Sequence, residues 1–126
     1  MTVHFTVTDG IASILLDAPA RRNALGFETL ASIVKAVRSA ELTHAHVIVI
    51  SATGPVFSAG ADFNDLTGTS ADIEYDAAVW SATSALRRTH VPVIAAVHGP
   101  CLGAAVDLVV SADVVMATTA ARFEVP

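Results

Sequence analysis

Apolar and polar residues alternate at the start of the chain, where Val3, Phe5 and Val7 are separated by threonine and histidine. Alternation with a period of two is typical of a β-strand that has one face buried. The pair Asp9-Gly10 is a strong signal for a tight turn, and the apolar run Ile11–Leu16 resumes a strand. The pattern therefore predicts that the chain opens with a β-hairpin.

The period then changes to that of a helix. A polar, turn-rich segment covers residues 19–26, and the apolar residues that follow it at helical spacing are Phe27, Leu30, Val34 and Val37. Residues 47–50 are a continuous run of valine and isoleucine, the pattern of a strand covered on both faces in a parallel sheet. We expect a first helix followed by a central strand.

The same order is repeated twice. Asp72 is expected to cap a second helix, and Pro92 then opens a strand over Val93–Val97. Residues 103–111 predict a short third helix, and residues 114–116 predict a third parallel strand. The inner face of the second helix is expected to carry Ala77, Trp80, Ser84 and Arg87. Repeated strand-helix-strand units indicate an α/β fold.

The length of 126 residues suits one domain, and no shift in composition divides the chain. Apolar residues make up 53% even without glycine, whereas soluble domains have about 45–50% with glycine counted. The excess suggests that some apolar faces of this chain are buried against something that is absent from it.

Charge and cysteine content exclude several classes of partner and location. A net charge of −5, with 7 lysines and arginines spread along the chain, argues against nucleic acid. The longest apolar stretches are far shorter than the ~20 residues of a membrane span, so no membrane association is expected. The first residues lack the features of a secretory signal, and the single Cys101 cannot form an internal disulfide. Both features predict a cytoplasmic protein.

Two loops rich in small residues, 51–63 and 98–107, follow strand ends, where open α/β sheets bind ligands. A single loop of this kind is more often a tight connection. Here small side chains leave the backbone N–H groups accessible in both loops, and Gly103-Ala104 opens a helix whose free N–H groups favour negative charge. One N–H from each loop would form an oxyanion hole, which suits a thioester carbonyl that becomes an enolate.

Other reactive side chains carry weaker signals. His98 ends a strand and is expected to be structural, and Cys101 has no histidine placed by a nucleophile motif. Arg87 and Arg88 are expected to complement the dipole at the end of the second helix. No cluster of residues has metal-ligand spacing, so neither a metal nor a separate cofactor is expected.

Three motifs carry a resemblance to a known family. They are Arg22-Asn23-Ala24-Leu25, then Phe-Ser-Ala-Gly-Ala-Asp at 57–62, then Gly-Pro-Cys-Leu-Gly-Ala-Ala-Val-Asp-Leu at 99–108, with Ser-Ala-Asp at 111–113 after them. In this order and spacing, the whole chain resembles the crotonase family, the enoyl-CoA hydratases and isomerases. The resemblance implies the ββα spiral fold of crotonases. Residues 1–126 would be its N-terminal portion, a partial acyl-CoA-binding domain of a parent protein that is a homo-oligomer, a trimer or a dimer of trimers.

The resemblance also implies site residues. Coenzyme A would lie along Arg22, Ala24 and Leu25. Its adenine and its thioester would be surrounded by the backbone of Ala59, Ala61, Asp62 and Phe63. The oxyanion donors would be the N–H groups of Ala61 and Ala104, and Gly103, next to Ala104, would contact the substrate. The family usually has glycine at 104, and if that position required positive φ, the alanine Cβ would cost roughly 1–2 kcal/mol. Coenzyme A would enter as part of the substrate.

Asp107 stands where many hydratases carry a catalytic glutamate and some dienoyl-CoA isomerases an aspartate. On sequence alone, a solvated or capping carboxylate is the commoner role for such a residue; the resemblance makes it the first candidate for an acid or base, with a carboxylate about one bond shorter than that of glutamate. A second catalytic carboxylate often follows directly after the proline that corresponds to Pro126, so Glu124 is not assigned that role. A hydratase is the leading interpretation. An isomerase and a non-catalytic acyl-CoA-binding chain remain the alternatives.

Overall fold

The computed structural model describes residues 2–125, so Met1 and Pro126, at the two ends of the expected domain, lie outside the described part. The helices are α1 (Phe27–Leu42), α2 (Ala71–Arg88) and α3 (Ala104–Val110). The strands are β1 (Val3–Thr8), β2 (Ile11–Leu16), β3 (Val47–Ala52), β4 (Val93–Val97), β5 (Pro100–Leu102), β6 (Val114–Ala117) and β7 (Arg122–Glu124). Within residues 2–125, no helix combines the length and the apolar character that crossing a membrane requires.

Five strands form the main sheet in the order β1-β2-β3-β4-β6. Strands β1 and β2 pair antiparallel, and each later pair is parallel, which confirms the predicted hairpin and the predicted α/β class. The hairpin turn has φ of 53° at Asp9 and 79° at Gly10. Positive φ at both turn residues matches the right-handed twist of the two strands, which explains why this pair forms the turn.

The core lies on one face of this sheet. Alternate strand residues such as Ile14, Ile48 and Ala95 are fully buried there, because side chains of a strand alternate between its two faces. The helix α1 buries Leu30 and Val37, as its spacing predicted, whereas Phe27 is partly exposed. The central strand β3 is buried on this face alone, so the expectation that it is covered on both faces is not met within the described chain.

The prediction for α2 was right about the helix and wrong about its start and its inner face. The helix begins at Ala71, and Asp72 does not cap it but accepts hydrogen bonds from the N–H groups of Thr67 and Gly68, at 2.8 and 3.0 Å. Trp80 was expected to face the core and is 58% exposed. The described residues of α2 that are buried are Tyr75, Ala82, Thr83, Ser84 and Leu86. Of the four residues expected on the inner face, Ser84 is buried, and Ala77, Trp80 and Arg87 are exposed. Small and polar residues at several buried positions obscured the true apolar face.

A second, two-stranded sheet of β5 and β7 was not expected from the sequence. It continues into the first loop through a bridge between Ser58 and Cys101. The N–H of Leu102 donates to the carbonyl of Ser58 at 3.0 Å, and that of Phe57 donates to Pro100 at the same distance. The second sheet therefore holds the two predicted ligand loops side by side.

The far edge of the main sheet is apolar and exposed. All four residues of β6 are exposed, including Val114, Val115 and Met116. Part of the high apolar content of the chain is therefore exposed at this edge. Apolar sheet edges of this kind are usually paired or covered in folded proteins.

Candidate active site

Asn23 is the anchor of the first candidate loop. It is 2% exposed, and its side chain makes three hydrogen bonds: Oδ1 accepts from Ala18 N–H at 2.7 Å, and Nδ2 donates to the carbonyls of Thr53 and Val56 at 2.8 and 3.0 Å. Both Arg22 and Asn23 have positive φ, near 53°. Asparagine tolerates this region better than most residues, and the bend turns the chain so that residues 22–25 run beside the second motif.

Residues 22–25 and 58–61 are joined by backbone hydrogen bonds. The N–H of Ala59 donates to Arg22 at 2.9 Å, and the N–H of Leu25 donates to Gly60 at 2.7 Å. The Ser58 hydroxyl donates to the carbonyl of Asn23 at 2.7 Å. Two motifs that are more than thirty positions apart in sequence thus form one rigid wall.

An open cavity of about 340 Å³ lies against this wall. Six of the residues expected to contact coenzyme A line it, and they are Arg22, Ala24, Ala59, Ala61, Asp62 and Phe63. Two expected residues are placed elsewhere. Leu25 is 0% exposed, with its side chain in the core, and Gly103 precedes α3 without lining this cavity. Leu25 supports the wall rather than forming part of its surface.

The charged side chains of the cavity are arranged by an ion pair that sequence reasoning missed. Arg21 pairs with the buried carboxylate of Asp62, which also accepts a hydrogen bond from the N–H of Asn64 at 3.0 Å. Arg22 is exposed and forms no ion pair with any residue from 2 to 125. Phe63 is 83% exposed at the mouth of the cavity. An unpaired guanidinium and an exposed aromatic ring are suited to a phosphate and a planar base.

Gly60 brings the two loops into close contact. Its φ is 88°, and a Cβ built on it would lie 2.4 Å from the carbonyl oxygen of Leu102 and 3.3 Å from the backbone nitrogen of Ala104. Only a residue without a side chain fits between these backbones. The peptide that joins Gly60 to Ala61 therefore lies beside the first turn of α3.

Both N–H groups that were expected to form the oxyanion hole are free of other hydrogen bonds within residues 2–125. Ala104 is the first residue of α3, where N–H groups have no partner inside the helix, and no acceptor within residues 2–125 pairs with its N–H or with that of Ala61. Positive φ falls on Gly103, at 58°, and not on Ala104. Ala104 therefore has no positive φ, and its Cβ does not cost the free energy that such a conformation would cost.

Asp107 lies three residues after Ala104, on the same side of α3. Its exposed side chain borders a second cavity of about 380 Å³ between α2 and α3, which is also lined by Asp76, Trp80 and Arg87. This cavity is distinct from the one lined by Arg22 and Phe63. The free N–H of Ala104 thus lies at the start of the same short helix that presents the carboxylate.

The remaining reactive side chains are buried or are held by contacts within the fold. A ring nitrogen of His98 forms a hydrogen bond with the carbonyl of Gly54 at 2.6 Å, in agreement with the structural role expected for it. Cys101 is buried, and burial raises the pKa of its thiol to about 11, so a nucleophilic thiolate is scarce at neutral pH. Arg87 lies in the last turn of α2 and stacks on Trp80, 5.0 Å from the ring centre. No group of three or more potential metal ligands exists within residues 2–125.

Comparison with known proteins places this geometry in a family. The model of the enoyl-CoA hydratase/isomerase family matches residues 6–126. Enoyl-CoA hydratase domain-containing protein 3, mitochondrial, of Rattus norvegicus is 40% identical over 94% of this chain and 41% of its own length. Enoyl-CoA delta isomerase 3, peroxisomal, of Mus musculus is 30% identical over 96% of this chain and 40% of its own length.

Solved structures agree. The crystal structure of a putative enoyl-CoA hydratase/isomerase family protein from Hyphomonas neptunium superposes with a TM-score of 0.93 at 31% identity. That alignment covers 99% of this chain and 50% of the other, so the chain spans about two fifths to one half of the proteins it matches. The predicted crotonase-like fold, as the N-terminal portion of the family's longer chains, is confirmed. The chain belongs to the enoyl-CoA hydratase/isomerase family.

Proposed function

We propose that the protein to which this chain contributes adds water to an α,β-unsaturated acyl-CoA thioester. The observation that supports this most directly is that two backbone N–H groups without an acceptor in residues 2–125, those of Ala61 and Ala104, adjoin the close contact between Gly60 and the start of α3. The water oxygen attacks the β-carbon, and the electron pair of the double bond moves to the thioester oxygen. The two N–H groups then stabilise the enolate oxygen, and a proton delivered to the α-carbon completes the addition.

In this proposal Asp107 takes a proton from the attacking water and, once protonated, gives a proton to the α-carbon. Its carboxylate lies about one helical turn from the Ala104 N–H and is exposed to the cavity between α2 and α3, where water and an acyl chain can enter. A general base must reach within about 2.6–3.2 Å of the proton it takes. We expect the β-carbon of the substrate to lie in this cavity, beside Asp107.

Coenzyme A is proposed to lie along the wall formed by residues 22–25 and 58–61. The exposed guanidinium of Arg22 can pair with a phosphate, and the exposed ring of Phe63 can stack on the adenine. Coenzyme A is part of the substrate, and no further cofactor is invoked. The proposal keeps a cytoplasmic, homo-oligomeric parent protein, a trimer or a dimer of trimers, with neither nucleic acid nor membrane as a partner.

One observation favours an isomerase as the second candidate. An aspartate at 107 holds its carboxylate about 1.5 Å further back than a glutamate would, which places it closer to a different carbon of the acyl chain. Moving a double bond needs only a proton shuttle between two carbons, and the mouse relative is named an enoyl-CoA delta isomerase. A non-catalytic acyl-CoA-binding chain is the third candidate.

Loss of the absorbance of a conjugated short-chain enoyl-CoA tests the proposal, measured on this chain and on the full-length protein. We expect the Asp107→Asn variant of the full-length protein to lose about 10²–10⁴-fold in rate with little change in acyl-CoA affinity. Asp76→Asn is the matched control, because Asp76 lines the same cavity on the opposite helix.

Three outcomes contradict hydration by Asp107. Equal losses in both variants would assign the effect to the charge of the cavity. Binding without hydration, together with conversion of a β,γ-enoyl-CoA, would identify an isomerase. Binding without either reaction would leave the non-catalytic candidate.

A further inference from the structure

A groove between α1 and α2 takes no part in the site described above. It has a volume of about 620 Å³, and the residues that define it here as the α1–α2 groove are Val34, Arg38, Leu42, Trp80, Ser84 and Arg88. Of these, Trp80 also borders the cavity of Asp107, so the indole forms a wall shared by both. The groove is larger than either cavity of the candidate active site.

Two arginines from different helices line this groove. Arg38 comes from the outer side of α1 and Arg88 from the last turn of α2, in a chain with 7 basic residues and a net charge of −5. Neither forms an ion pair with any residue of the described range 2–125, although Glu41 also lines the groove. Guanidinium groups without a carboxylate partner favour a bidentate anion such as a carboxylate or a phosphate.

A buried hydroxyl in the same lining lacks a partner. Ser84 is 8% exposed, and its Oγ forms no hydrogen bond within residues 2–125. A helical serine commonly bonds to the carbonyl four residues earlier, which is that of Trp80. That carbonyl already accepts from the Thr83 hydroxyl at 3.1 Å. Buried polar groups in folded proteins are nearly always paired. The Ser84 Oγ is itself shielded from solvent, so it is an unpaired group behind the groove surface and not a donor on it.

The rest of the lining is apolar. Leu42 and Trp80 are both exposed, and Val34 is half-buried beside them. A small inorganic anion would leave these side chains in water. A ligand with an apolar body would cover them and gain the free energy of removing apolar surface from water.

We propose that the α1–α2 groove binds an amphipathic organic anion. A carboxylate or phosphate head lies between Arg38 and Arg88, and an alkyl or aromatic body lies along Trp80 and Leu42. This site is separate from the acyl-CoA wall, and it does not depend on the hydration chemistry.

Fluorescence of Trp80, the single tryptophan of the chain, reports on the groove. The probes are dodecanoate and dodecyl phosphate below their micellar concentrations, with dodecanol and inorganic phosphate as probes that lack the head or the body. We expect both amphipathic anions to change the fluorescence in a saturable way. Their relative affinities distinguish a carboxylate from a phosphate ligand. Dodecanol and inorganic phosphate are expected to bind at least about tenfold more weakly, because each lacks one of the two contacts.

Variants locate the binding. Arg38→Gln combined with Arg88→Gln is expected to weaken dodecanoate binding by about tenfold or more. Arg122→Gln is the matched control, since Arg122 is paired with Glu124 at 3.0 Å on β7 and is remote from the groove in the fold. Ser84→Ala is expected to leave both dodecanoate binding and stability largely unchanged, because the hydroxyl that it removes is unpaired and is itself buried. Asp107→Asn is expected to leave binding unchanged.

Each opposite result overturns the proposal. Equal binding of dodecanol would show an apolar surface without anion recognition. Unchanged binding in the double arginine variant would show that the probe is not bound in the groove, and any clear change in affinity on Asp107→Asn would place it in the cavity between α2 and α3. Binding to this chain that disappears in the full-length protein would show that the groove is covered by other parts of the protein.

Discussion

The contact between Gly60 and the second loop leads to a sharp prediction for Gly60→Ala. The new Cβ would lie 2.4 Å from the carbonyl oxygen of Leu102, a backbone atom that cannot swing away. The loops must separate, and the peptide that carries the Ala61 N–H moves with them. The variant should therefore lose both stability and acyl-CoA binding.

The magnitude follows from two contributions. An alanine at a φ of 88° costs roughly 1–2 kcal/mol. Forcing a methyl group into a closely packed contact adds about 1–3 kcal/mol. Gly68→Ala separates the two, because Gly68 also has positive φ, at 71°, but a Cβ there meets nothing within 4 Å. We expect Gly68→Ala to show only the first cost.

Urea unfolding followed by circular dichroism measures the difference. An extra loss of about 1–3 kcal/mol in the free energy of unfolding lowers the urea midpoint of the Gly60→Ala variant by on the order of 1 M relative to that of Gly68→Ala. Acyl-CoA affinity should fall in the Gly60 variant only. Equal midpoints and equal affinities in the two variants would refute the close approach of the two loops.

Two further outcomes are expected. Asn23→Ala removes the three hydrogen bonds of a buried side chain and places alanine at positive φ, so it should lower the free energy of unfolding in urea by about 2–4 kcal/mol. The control Asn64→Ala changes an exposed position and should lower it by less than about 0.5 kcal/mol. Similar losses in the two variants would contradict the anchoring role of Asn23. Burial raises the pKa of the Cys101 thiol from 9.0 to about 11. The buried neutral thiol therefore contributes fully to the free energy of unfolding below pH 9.0, and this contribution is lost as the pH rises through about 11. The reaction of this thiol with a disulfide reagent should be much slower in the folded chain than in urea, and equal rates would show that the thiol is accessible.

Local patterns in the sequence were sufficient for most elements. The hairpin at Asp9-Gly10, the helix α1 and the strands β3 and β4 are confirmed, because each depends on residues that are neighbours in sequence. The inner face of α2 was predicted wrongly because Trp80 is the largest apolar residue of that helix and yet lies outside the core. Periodicity cannot show which side of a helix the rest of the fold covers.

In the candidate site too, some features were predicted from the sequence and others were not. The small residues at 59–61 and 103–104 indicated accessible backbone, and the cavity beside Arg22 contains most of the residues that the family resemblance had suggested. The Arg21–Asp62 ion pair, the second sheet of β5 and β7 and the three hydrogen bonds of Asn23 had no signal in the sequence. Each joins residues that are distant along the chain.

The sequence by itself determined the order of the three helices and of the main-sheet strands, the α/β class and the positions of the two loops, because propensity, turn chemistry and apolar periodicity act over a few residues. Only the tertiary structure decided that Gly60 touches the start of α3, that positive φ falls on Gly103 rather than Ala104, and that Asp107 faces α2. These facts depend on how separate segments pack against each other, and a contact between distant segments leaves no local pattern from which it can be predicted.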